Sequence, residues 1–280
     1  MTSFRIDNAL RVLTFIVLAV LVTVFQPVTA QAVESDWAVT DGGRMRLILA
    51  GDVGGGLHEG ALEIEPEPGW ITYWREPGDS GIPPQITVAP GSPLQLHSVD
   101  FPAPKRIDNG KVSDLAYDGP VTLPLVFEGD GNAAGKELQV HVFIGICKNI
   151  CIPFQAEFKV TVPTGSDPQD AIRIRMARQA LPDGPSKDFA LSAVQRSDDG
   201  KALLIDLLCP GNDPKDLQIY VTGKPGTVAM DYTVEKSDGH RMLLRVPVSE
   251  LPDAGDPDGR VYRLLAIDGT RTMRTPLAFN

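Results

Sequence analysis

Two alternating runs that meet at a pair of cysteines constrain this chain more than any other feature. Leu138, Val140, Val142, Ile144 and Ile146 alternate with Gln139, His141 and other outward candidates. Phe154, Ala156, Phe158, Val160 and Val162 do the same against Gln155, Glu157, Lys159 and Thr161. Period-two alternation marks strands with one buried face. Between the runs lies Cys147-Lys148-Asn149-Ile150-Cys151, so the sequence predicts a hairpin with both cysteines at its tip.

Similar short runs recur along the 280 residues, at Gly60–Glu65, Ile71–Trp74, Gln85–Ala89, Leu94–Val99 and Val121–Phe127, with separators rich in Gly, Pro and Asp. Many short strands with frequent turn signals read as a β-sandwich. The pattern breaks at Pro163–Ser166, where Asp167 can cap a helix, Pro168 suits its first turn, and Asp170 places negative charge at the positive end of the dipole. Ile172, Met176 and Ala180 recur at helical spacing until Pro182-Asp183-Gly184-Pro185. Strands then resume at Phe189–Gln195, Ala202–Leu208, Leu217–Thr222, Val228–Val234, Arg241–Val248 and Val261–Ile267. The expected organisation is all-β: a first sandwich over residues 33–165, a linker with one short helix over 166–186, and a second sandwich over 187–280.

Residues 1–32 are set apart. Arg5 and Arg11 precede an apolar run from Val12 to Phe25, and small residues follow up to Ala32. This is the pattern of a secretory signal cleaved after Ala32 or Ala30, and the run is too short for the roughly 20 residues that span a bilayer. An uncleaved anchor is the alternative. After cleavage the chain is expected in the periplasm, without stable membrane insertion. Losing Arg5, Arg11 and Asp7 moves the formal net charge from −10 to −11, which disfavours nucleic acid as a partner. The one basic cluster, Arg173, Arg175 and Arg178, is expected on a solvated helix face. An exported chain meets an oxidising compartment, and three cysteines mean one pair and one leftover thiol, or an intermolecular bond.

On a straight strand, cysteines four apart have Cα atoms roughly 13 Å apart, too far to bridge, so a bond requires a turn between them. Lys148-Asn149 is compatible with one. So small a loop gains little from cross-linking, which makes reactivity a better reason for the pair than stability. Lys148 can favour the attacking thiolate. Two other readings stay open: an inert structural staple, and soft-metal binding of Cu(I) or Zn(II) by the thiolates, with His141 about 20 Å away along a straight strand.

Other features carry less. Trp70, Tyr73 and Trp74 are expected in the core. Gly54-Gly55-Gly56 lacks the residues of a phosphate loop. His58, His97, His141 and His240 show no ligand spacing, no nucleophile motif stands out, and no cofactor is expected. Cys209 reads as a lone, partly buried thiol.

Several segments together resemble one family. Gly69-Trp70-Ile71-Thr72-Tyr73-Trp74-Arg75-Glu76-Pro77-Gly78-Asp79-Ser80-Gly81, Phe101-Pro102-Ala103-Pro104-Lys105-Arg106, Tyr117-Asp118-Gly119 with Val121-Thr122-Leu123-Pro124-Leu125, and Gly145-Ile146-Cys147-Lys148-Asn149-Ile150-Cys151-Ile152-Pro153 are similar to motifs of the periplasmic N-terminal domains of the thiol:disulfide interchange protein DsbD and its copper-suppressor relative ScsB. The resemblance covers residues 60–162. It implies an immunoglobulin-like domain whose disulfide pair, Cys147 and Cys151, is catalytic, as a component of a protein-disulfide reductase. It also implies thioredoxin-like periplasmic partners, a separate membrane electron donor, and Cys151 as the partner-facing sulfur. A cap loop would shield the pair, with Ile107 as lid and Asp108 as an acid near the thiols. The copper-tolerance relative keeps Cu(I) binding as the rival function. The cysteine spacing is shorter than in DsbD itself, which leaves the partner's identity open.

Overall fold

A computed structural model describes residues 33–110, 112–129, 131–165, 167–223, 226–251 and 262–277, and the expected leader, residues 1–32, lies outside them. Residues 33–161 supply two antiparallel sheets. The first contains β1 (Val33–Glu34), β2 (Ala38–Thr40), β3 (Gly43–Gly54), β4 (Leu57–Pro66), β7 (Leu94–Val99) and β10 (Val121–Gly129), in the order β1-β3-β4-β10-β7 with β2 also against β3. The second contains β5 (Ile71–Gly78), β6 (Gln85–Val88), β8 (Lys105–Asp108), β9 (Ser113–Tyr117), β11 (Glu137–Cys147) and β12 (Cys151–Thr161). Its order is β12-β11-β5-β9-β8, with β6 also against β11. Alternate side chains of both sheets, among them Met45, Leu47, Leu62, Leu123, Val140 and Ile144, form one buried core.

Strand β3 is apolar on both faces because a helix covers its outer one. Helix α1 (Pro168–Gln179) starts at Asp167, whose carboxylate accepts from the Gln169 N–H at 2.7 Å, with Pro168 in its first turn. Its Ile174 packs on Ile48, Ala50 and Ala61. Ile172 and Met176, spaced as an apolar stripe, instead face solvent at 51% and 63% exposure. Two of the clustered arginines are tied to the sheet, Arg173 to Glu34 at 2.7 Å and Arg178 to Glu59 at 3.1 Å.

Residues 190–276 form two further antiparallel sheets. One has the order β13 (Ala190–Arg196), β14 (Ala202–Leu208), β18 (Arg241–Pro247), β17 (Thr233–Asp238). The other runs β16 (Val228–Ala229), β15 (Leu217–Thr222), β19 (Arg263–Asp268), β20 (Arg271–Pro276). Eight described strands thus stand where the sequence suggested six. The run expected as Val228–Val234 divides between two sheets, and β20 follows a turn at Gly269, which adopts φ 59°. Apart from α1 and one 3-10 turn at Val248–Glu250, the described residues are all-β and immunoglobulin-like.

Ala32–Asn280 make one compact unit. The reason is strand parity. On β15, Ile219 and Val221 face their own core, so Tyr220 faces the opposite way. Tyr220 and Leu265 are buried in the core of the first pair of sheets, with the Tyr220 ring centroid 6.4 Å from that of Trp74. Polar bonds frame this seam: the Gly226 N–H donates to Glu76 Oε2 at 2.6 Å, and Arg75 Nη2 donates to Thr222 Oγ1 at 3.3 Å.

Candidate functional site

Strands β11 and β12 pair in register from Glu137–Thr161 to Cys147–Cys151. The three residues Lys148, Asn149 and Ile150 reverse the chain, closed by a Lys148 N–H to Ile150 carbonyl bond of 3.2 Å. Folding the chain back brings the two cysteine Cα atoms to 4.1 Å, and the sulfurs are joined as a disulfide. The turn that the strand geometry demanded is therefore present. The two sulfurs differ in access: Cys147 is buried at 4% exposure, whereas Cys151 is exposed, as are Lys148, Asn149 and Ile150.

Cys147 lies on the outer face of the second sheet with Tyr73 and Ala116, and half-buried Ile71 and Ile107 pack against them. Tyr73 Oη is 3.4 Å from Cys151 Sγ. A disulfide sulfur carries no hydrogen, so the phenol is the donor. Burial, with the Asp114 charge adding to it, pushes the Tyr73 pKa up to about 12, so the donor proton is retained throughout the neutral range.

The end of β5 and the residues after it hold that ring in place. Gly78 takes φ 88° to turn the chain. The Ser113 N–H donates to Asp79 Oδ2 at 2.8 Å, and the Ser80 N–H and hydroxyl donate to Asp114. A side chain at Gly81 would run into the Tyr73 ring, and one at Gly145 would meet Ile82 at 2.7 Å. The Pro-Gly-Asp-Ser-Gly segment is thus a mould around Tyr73. At Gly69 an added Cβ would come within 3.4 Å of Lys148 Cε and Nζ, so the turn before β5 also supports the tip.

The remaining sequence candidates fall into place unequally. The stretch expected as a cap loop is an edge strand, β8, paired with β9 through Lys105–Ala116 to Asp108–Ser113, because its residues alternate between the two faces of the sheet. Ile107 does reach the Cys147 cluster. Asp108 does not fit the part of an acid at the thiols. Its exposed carboxylate accepts from the Ser113 hydroxyl and from Arg106 Nε at 3.0 Å. Those bonds, the Ser113 one foremost, hold its pKa below the usual carboxylate range, so it has no proton to give near pH 7. His141 sits opposite Glu157 at 3.6 Å, well down the hairpin from the tip. Among the described residues, no group of three or more His, Cys, Asp or Glu gathers as a metal site. Cys209, expected to be partly buried, is buried at 1% exposure in the second core.

Sequence reasoning placed Tyr73 in the core and so missed it as a site residue. A signal was available: Trp74 faces the core, and adjacent strand residues point to opposite faces. Loss of the phenol tests the contact. In Tyr73→Phe, the reduced Cys151 thiol is expected to titrate about one unit higher, equivalent to about 1.4 kcal/mol, because its thiolate loses a donor. The pH dependence of alkylation measures this, and an unchanged midpoint shows that the hydroxyl does not act on Cys151.

The described residues form antiparallel sheets that carry a disulfide at a hairpin tip, with Cys151 exposed and Cys147 buried. Residues 50–163 match the family model described as thiol:disulfide interchange protein DsbD, N-terminal, which supports a thiol–disulfide interchange module in that segment. The fold is similar to the crystal structure of the N-terminal periplasmic domain of ScsB from Proteus mirabilis, with a TM-score of 0.69 and 19% identity, over 89% of this chain and 99% of that one. No curated protein sequence matches the chain. Among the described residues no helix is long and apolar enough to cross a membrane.

Proposed function

We propose that the chain is a periplasmic electron carrier that cycles between the Cys147–Cys151 disulfide and the dithiol, passing reducing equivalents to thioredoxin-like proteins. In this reading residues 33–165 are the redox domain, residues 187–280 a second domain, and a separate membrane protein supplies electrons. The observation that carries the proposal is the asymmetry of the pair, with Cys151 exposed and Cys147 buried at 4% exposure. Exchange proceeds by attack of a thiolate on one sulfur, through a mixed disulfide, with the other sulfur leaving. From the oxidised state a visiting thiolate attacks Cys151 Sγ, the S–S bond breaks, and its electron pair leaves on Cys147. A second thiolate of the visitor then attacks the visitor's own sulfur in the mixed disulfide, which releases an oxidised visitor and leaves the Cys147–Cys151 dithiol. From the reduced state the same steps run backwards: Cys151 attacks a partner disulfide, and Cys147 resolves the mixed disulfide. The Tyr73 hydroxyl supports the charge on Cys151, and Cys147 stays buried in its cluster with Tyr73 and Ala116.

Trapping tests the proposal. In Cys147→Ser the exposed Cys151 has no internal thiol to resolve a mixed disulfide, so this variant, expressed in the periplasm, is expected to accumulate disulfide-linked thioredoxin-like partners. The Cys151→Ser variant is expected to capture far less. No linked partner in either variant overturns the carrier reading. A reduction potential below about −300 mV points the same way, since bonds that resistant are structural.

A further inference from the structure

The seam between the two pairs of sheets holds a cleft of about 780 Å³, lined by residues of β5, β6, β7, β15 and β19 and within the size range of small-molecule sites. Ile86, Val99 and Phe101, all half-buried, give it an apolar wall together with Pro83. A smaller void of about 10 Å³, the room of about one oxygen atom, adjoins it. The two spaces share Arg75, Phe101, Thr222 and Arg263, and the smaller one adds Trp74 and Arg274. None of residues 147–151 lines either space.

Charge is unbalanced here. Three guanidiniums line the two spaces against one carboxylate, Glu76. Glu76 is committed to the backbone instead: its Oε2 accepts from the Gly226 N–H at 2.6 Å, while its Oε1 stays 3.9 Å from Arg75 Nε, beyond hydrogen-bond distance. Arg274 comes only within 3.7 Å of Asp100. Burial lowers the Arg75 pKa from its usual value; Glu76 opposes that shift, and the Arg274 and Arg263 charges add to it. Two buried donors, Arg75 Nε–H and Trp74 Nε1–H, have no acceptor. Trp74 is 2% exposed and lines the smaller void. Guanidinium and indole N–H groups can only donate, and buried donors are nearly always partnered, so an acceptor is what this corner lacks.

We propose that the cleft is a binding site for a small organic carboxylate, whose charged end lies between Arg75 and Arg263 and whose aliphatic body lies on Ile86, Val99 and Phe101. The planar guanidinium fork matches the two oxygens of a carboxylate. One of those oxygens supplies the acceptor for Arg75 Nε, with Trp74 Nε1 as a further donor behind the same arginines. The apolar wall selects against small inorganic anions, and the arginines select against uncharged apolar molecules. The site lies apart from the disulfide, and the proposal does not rest on the carrier reading.

Calorimetric titration of the full oxidised chain at neutral pH tests it, with acetate, butyrate and hexanoate as probes. Hexanol serves as the body without the charge, and inorganic phosphate as the charge without the body. Hexanoate is expected to saturate one site about tenfold more tightly than butyrate, because each buried methylene contributes a factor of about four and the cleft buries the chain in part. Hexanol and phosphate are each expected to bind at least about tenfold more weakly than hexanoate, the scale of a lost charge-assisted bond or a lost apolar contact. Arg263 is exposed, so Arg263→Ala leaves the core untouched, and it is expected to weaken hexanoate at least about tenfold. Arg263→Lys, which keeps the charge without the fork, is expected to recover part of that loss. Arg241→Ala removes an arginine paired with Asp206 outside the cleft and is expected to leave the affinity unchanged. The proposal is overturned by an absence of saturable hexanoate binding, by hexanol or phosphate binding as tightly as hexanoate, or by unchanged affinity in Arg263→Ala. None of these results bears on whether Cys151 captures partners, so failure of the site and failure of the carrier reading are told apart.

Discussion

Replacing Tyr220 with alanine is expected to lower folding stability by about 3–5 kcal/mol, the range for removing a large buried aromatic. The size follows from where the ring sits. Tyr220 is 1% exposed and is carried by β15 of the second sandwich, yet it fills the core of the first beside Trp74. Truncation leaves a cavity in the first core and also removes one of the apolar ties across the seam, which Leu265 makes with it. A second consequence distinguishes it from a core truncation such as Ile205→Ala, which removes buried aliphatic surface within the second sandwich alone. With the plug gone, the two halves should cease to unfold together, so tryptophan fluorescence, which reports Trp37, Trp70 and Trp74 in the first half, and far-ultraviolet dichroism should give separate denaturant transitions. A small loss with a single shared transition contradicts this account of the seam.

The second large effect concerns the cysteines. In the reduced chain at pH 8, iodoacetamide is expected to modify Cys151 at least about a thousandfold faster than Cys209. The thiolate is the reacting species. Burial, with the Asp268 charge adding to it, pushes the Cys209 pKa up to about 12, which leaves about one part in ten thousand as thiolate at pH 8. An ordinary thiol with a pKa of about 8.5 is about one quarter ionised at that pH. Burial at 1% exposure adds steric protection to the difference in charge. Peptide mapping after timed quenching measures both rates. Comparable labelling would place Cys209 in reach of solvent and make it a competitor for partners.

Much of the redox half was legible because its information is local. Alternation along 138–162 marks the hairpin, and the short Lys148–Ile150 connection marks the turn that a bond between Cys147 and Cys151 requires. The helix cap at Asp167 was equally local. Elsewhere local pattern misled. Ile172 and Met176 looked like a packing stripe, but the helix buries Ile174 and Ala177 instead. The stretch around Ile107 and Asp108, expected as a cap loop from the resemblance, is an edge strand, which needs only a few residues and one neighbour. In the second half, the Asp268-Gly269 turn was a usable hairpin signal that marks β20. The tie between Arg106 and Asp231 had no such signal. Its partners are 125 positions apart, and nothing in the spacing of either chain segment announces the other.

The eleven unbroken rungs between β11 and β12 bear on how long any visitor stays. Breaking the sulfur–sulfur bond leaves this ladder standing, so the freed Cys147 remains a neighbour of Cys151 at a very high local concentration; held groups of this kind reach effective molarities of about 10⁵ M or more. Ring closure should then outrun diffusion of any second thiol. In the carrier reading, encounters at the tip are then brief, and the covalent link to a partner persists only when one of the two sulfurs has been taken away.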